Sequence, residues 1–136
     1  MDIPARFPGL RVATMLLIAG AIIWIALEGN LTRVLLLASA TTLIVTAHVL
    51  QWLFGGRLLA PVRWLVHLAL AGLVAGAAIP VLTLLLMVLK TGLHGHGPEF
   101  TAADFIWVSN NVFAWSGGGL LGGTGLGLIT LALRRR

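Results

Sequence analysis

LVHLALAGLVAGAAIPVLTLLLMVL, residues 65–89, is the stretch that decides the fold. It holds no Asp, Glu, Lys or Arg, and His67 is its only titratable group. About 20 consecutive apolar residues in a helix cross the hydrocarbon core of a bilayer. Backbone groups in lipid must be satisfied inside the segment, so the run is read as a helix. It opens at Pro61, a residue suited to a first turn, and is expected to reach about Leu89. Pro80 removes one backbone hydrogen bond within it and is expected to kink it.

Similar runs lie on the N-terminal side. One covers residues 10–27, between Phe7-Pro8-Gly9 and Glu28-Gly29-Asn30, and the next covers 31–54, up to Gly55-Gly56. No small-residue cleavage site follows the first run, which is read as a retained anchor. On the C-terminal side, Thr101 and Asp104 have capping-box spacing, and Phe100 and Phe105 flank them as a hydrophobic staple. A helix therefore starts near Ala102. Unbroken to Leu133 it would be about 48 Å long, well beyond the hydrocarbon core. Ser109-Asn110-Asn111 interrupts the apolar run. The reading is a short surface helix over 102–112 followed by a span over 113–133, with one strongly tilted helix as the alternative.

The expected fold class is all-α: a polytopic integral membrane protein in a single transmembrane domain over residues 1–136. Four transmembrane helices, at about 10–27, 31–54, 61–89 and 113–133, are expected, with a short interfacial helix before the fourth.

Composition supports lipid as the solvent. The chain is 59% hydrophobic and 10% charged, against about 25% charged in ordinary soluble domains. A soluble fold of this size has too much surface for its volume to bury so much apolar area. The absence of cysteine excludes disulfide, thiolate and iron–sulfur chemistry. The net charge of +5 does not indicate nucleic acid, because the basic residues sit at the ends of apolar runs and form no stripe. Arg6, Arg11, Arg57, Arg63, Arg134, Arg135 and Arg136 fall on one side with Asp2; Arg33 and Lys90 fall on the other with Glu28, Glu99 and Asp104. The positive-inside rule then puts both termini on the cytoplasmic side of a cytoplasmic (inner) membrane. Trp52 and Trp64 are expected in the aromatic belt at that side, Trp24 and Trp107 at the other.

Charged residues lie outside the expected spans or at their ends, which disfavours a proton relay or ion pathway. Two histidines are the exception. His48 and His67 each lie about 9 Å deep from the same end of neighbouring antiparallel helices. Paired at that depth they are candidate axial ligands of a b-type haem. The alternative is that each imidazole bonds a helix carbonyl or a hydroxyl such as Thr46. His94 and His96, with Glu99 and Asp104 nearby, are candidate zinc or copper ligands. The alternative is a plain polar loop.

Glycines carry the remaining signal. Gly119, Gly123 and Gly127 recur every four residues, Gly118 and Gly122 form a second pair, and Gly72 and Gly76 a third. Small residues at this spacing let helix backbones approach closely in lipid. One such face is expected to pack internally and one externally. The G-x-G-x-x-G match over Gly117–Gly122 follows no strand and is no dinucleotide site.

The function expected is that of a non-catalytic membrane subunit that packs against and stabilises a larger complex, such as a respiratory or photosynthetic electron-transfer complex. Its partners would be membrane lipid and other integral membrane subunits. A small b-type cytochrome or quinone-site subunit using His48 and His67 is the alternative, and an oligomeric channel or transporter component a further one.

Overall fold

The structure is a computed structural model that describes residues 2–27, 29–93 and 99–133. The described residues form five helices and no strand: α1 (Leu10–Ala26), α2 (Leu31–Phe54), α3 (Pro61–Leu93), α4 (Ala102–Asn110) and α5 (Val112–Leu133).

Local chemistry sets the boundaries. Gly9 opens α1 with a φ of 76°, a left-handed conformation that a side chain would strain. Asn30 caps α2, its side chain accepting from the backbone N–H of Thr32 and Arg33 and so satisfying two of the orphan donors of the first turn. Gly55 and Gly56 end α2, Gly56 at a φ of 73°. The capping box of α4 is complete: Thr101 accepts from the Asp104 backbone, and the Asp104 carboxylate accepts from the Thr101 backbone. Asn111 alone separates α4 from α5.

Two expectations change. The helix opening at Pro61 continues through Pro80 to Leu93, one turn past Leu89. Among the described residues three helices, α2, α3 and α5, are long and apolar enough to cross a membrane, and α1, the other expected span, is a shorter apolar helix. At 17 residues, α1 is about 26 Å long, short of the roughly 30 Å core.

The long helices pack as an open row in the order α1, α2, α3, α5, with α4 laid against α3. The broadest seam is that between α3 and α5. Two apolar clusters tie the row at its ends. Trp24, Val34, Met87, Phe100 and Val108 form one. Ile3, Leu50, Trp64 and Leu68 form the other. At this second end the N-terminal segment is strapped to the α2–α3 turn: Ile3 N–H donates to Arg57 O, Gly56 N–H to Ile3 O, and Phe7 N–H to Gln51 Oε1. Trp64 Nε1 donates to Thr130 Oγ1 at 3.1 Å, which brings the last turns of α5 to the same end. Trp24 and Trp64 are therefore buried within the chain, whereas Trp52 is 82% exposed.

The outward faces of the row are apolar, with Met15, Ile22, Leu36, Val74, Leu85 and Leu121 all more than 60% exposed. So much exposed apolar surface marks contact with lipid or with other protein.

Candidate functional sites along the helix seams

The α3–α5 seam is built from glycine. A Cβ placed on Gly72 would strike Gly119 O, and one on Gly119 would strike Gly72 O. Gly76 faces the Trp115 carbonyl, Gly123 the Leu68 carbonyl, and Gly127 the Leu65 side chain. All but the last are backbone-to-backbone approaches, so dispersion and weak Cα–H···O contacts accumulate along the seam. Gly118 and Gly122 do not belong to it. A Cβ on either would meet nothing within 4 Å, and the same holds for Gly125. These three, spaced by four and three residues, share one face of α5. Beside that face, Gly122 and Leu126 of α5 and Leu43 and Thr46 of α2 wall a groove of about 290 Å³, with Gly72 and Gly76 at its floor.

The two histidines have different neighbours. The Thr14 hydroxyl donates to Leu10 O at 2.8 Å, so at 2.9 Å from His48 Nε2 it accepts a hydrogen bond from that nitrogen. His48 thereby faces α1. His67 Nδ1 lies 2.5 Å from Arg63 O, and its ring meets Phe54 edge-on at 4.6 Å between centroids. His67 lines a cleft of about 480 Å³ between α2 and α3, whose lining does not include His48. One porphyrin held by both would need His48 to give up Thr14.

His94 and His96 lie outside the described residues. The two carboxylates near them in sequence have other partners: Asp104 belongs to the capping box, and Glu99 lies 3.8 Å from Lys90.

Lys90 is the residue whose role the sequence did not disclose. Its side chain is 1% exposed. The ammonium donates to Trp24 O at 3.2 Å, Ile25 O at 3.3 Å and Leu27 O at 2.5 Å. It also lies 4.8 Å from the centroid of the Trp24 ring, within cation–π range. These carbonyls lie at the C-terminal end of α1, where the helix dipole is negative; Trp24 O also accepts from the Leu27 N–H, at 3.2 Å. A cation from α3 thus caps a helix 63–66 residues away. Gly29 makes room for Glu99 beside it, since a Cβ there would strike the carboxylate.

At the opposite end, between α1 and α2, lies a polar cleft of about 230 Å³. Arg6, Arg11, His48 and Gln51 line it together with Phe7 and Gly9. Farther along, the same seam opens into an apolar groove of about 590 Å³, from Ala13 to Leu27 on α1 and from Arg33 to Ile44 on α2.

Comparison with protein-family models, with curated proteins and with solved structures finds no match to this chain.

Proposed function

We propose that the chain is a non-catalytic integral membrane subunit of a larger membrane assembly. In this reading α1, α2, α3 and α5 all cross the bilayer, with both termini cytoplasmic. A helix of a partner chain docks along the outer glycine face of α5. The observation that carries the reading is the contrast between the two glycine faces. Gly72, Gly76, Gly119 and Gly123 are needed within the chain because a Cβ would strike backbone. Gly118, Gly122 and Gly125 have open space, so alanine would fit at each. Each glycine costs a helix up to about 1 kcal/mol relative to alanine, and the chain's own packing returns nothing for these three. Close approach of another helix would, because packing is what drives helix association in lipid.

Blue-native electrophoresis after extraction in mild detergent tests this. Wild type should migrate well above the mass of one chain, and Gly122→Leu at about that mass with an unchanged melting temperature. Co-migration of Gly122→Leu with wild type would remove the reading.

A further inference from the structure

We propose that the α1–α2 seam binds one anionic phospholipid, its phosphate held at the cleft of Arg6, Arg11, His48 and Gln51 and an acyl chain lying in the apolar groove. Three observations converge. First, the polar cleft is lined by two guanidinium groups, an imidazole and a carboxamide, and by no Asp or Glu. Guanidinium groups bind phosphate oxygens with paired N–H donors, and basic clefts between membrane helices suit anionic head groups.

Second, the seam is continuous. On α2, Arg33, Leu37, Ala40 and Ile44 line the apolar groove, and His48 and Gln51, at the next steps of three and four residues, line the polar cleft. On α1, the apolar part runs from Ala13 to Leu27, roughly 21 Å at 1.5 Å per residue. A ligand that fills both needs an anionic head and a long apolar tail. A soluble phosphate has no tail to fill the apolar part.

Third, local contacts shape the cleft. Gly9 in its left-handed conformation turns the chain into α1, and Phe7 N–H is held by Gln51 Oε1 at 2.6 Å. These fix Arg6 and Arg11 on either side of the turn. The hydrogen bond from His48 Nε2 to Thr14 holds the imidazole at the wall of the cleft.

The site acts in the isolated chain, so it stands or falls separately from the docking face on α5. Native mass spectrometry of the purified chain, titrated with phosphatidylglycerol, phosphatidylcholine or glycerol phosphate, gives the decision. Phosphatidylglycerol should bind about 30-fold more tightly than phosphatidylcholine, the ratio that two basic contacts supply. Glycerol phosphate should not bind in the same range. The double variant Arg6→Ala/Arg11→Ala should reduce the lipid preference to within about threefold, while Arg6→Lys/Arg11→Lys retains most of it. Gly20→Leu tests the tail, because Gly20 lines the groove and a Cβ there meets nothing within 4 Å. It should weaken both lipids alike. Equal binding of the two lipids to wild type, an unchanged preference in Arg6→Ala/Arg11→Ala, or binding of glycerol phosphate as tight as the lipid would each overturn the proposal.

Discussion

Gly123→Ala adds one methyl group at the middle of the α3–α5 seam. That carbon would strike Leu68 O and stand 3.0 Å from Leu68 C and 3.1 Å from Gly72 Cα. Unstrained carbon contacts lie near 3.5–4.0 Å. Every obstructing atom is backbone, so no side-chain rotation relieves the clash, and the two helices must part by about 1 Å to clear Leu68 O. A gap of that size forfeits roughly a quarter to a half of each dispersion contact across the seam. Overpacking of this kind costs about 1–3 kcal/mol. Gly122→Ala, one residue away, adds the same methyl where nothing lies within 4 Å. It gains up to about 1 kcal/mol of helix propensity and loses nothing. The two variants should therefore differ by roughly 2 kcal/mol, with Gly123→Ala the less stable. Unfolding titrations in mixed micelles, followed by far-ultraviolet circular dichroism, measure the difference. Adding Gly72→Ala to Gly123→Ala should cost less than the sum of the two, because one separation of the helices relieves both clashes. Equal midpoints for Gly122→Ala and Gly123→Ala would refute the close-packed seam.

Lys90→Met should destabilise the chain by about 3–5 kcal/mol, since it leaves Glu99 and the last carbonyls of α1 buried without their cation. Lys90→Met/Glu99→Gln should recover part of that loss in the same unfolding assay, and no recovery would mean that the ion pair carries none of the cost. Single cysteines at Leu58 and Ala103 in the otherwise cysteine-free chain should label from opposite sides of the membrane, Leu58 from the cytoplasmic side. Labelling of both from one side would overturn the four-span topology.

The sequence disclosed what depends on local chemistry and period. The Thr101–Asp104 capping box, the break at Asn111 and the glycine ends of α2 are encoded within a few residues of where they act. Repeats of glycine were equally visible, but the repeat alone does not say which face turns inward. Gly122 and Gly123 are neighbours in sequence and about 100° apart on the helix, and only the position of α3 separates their roles. The same limit applied to the histidines. Counting residues from a helix end gives depth but not direction, and His48 proves to face α1 while His67 packs on Phe54. In the sequence Lys90 is one of the charges at the span ends. Its partners are the carbonyls of α1, a tertiary relation with no local signature. The positions of Trp24 and Trp64 near helix ends were legible, but not that each is buried in an apolar cluster at one end of the row.

The docking face on α5 is tested most directly by crosslinking in the native membrane. Gly118→Cys places the chain's single cysteine on the open glycine face, where its Cβ meets nothing within the chain. Met15→Cys places it on an exposed apolar face of α1 as the control. Each is modified with a maleimide carrying a short photoreactive group and irradiated in membranes. The docking account predicts one discrete protein adduct from Gly118→Cys, lost when Gly122→Leu is added, and lipid adducts alone from Met15→Cys. Lipid adducts alone from Gly118→Cys, or a protein adduct that survives Gly122→Leu, would contradict it.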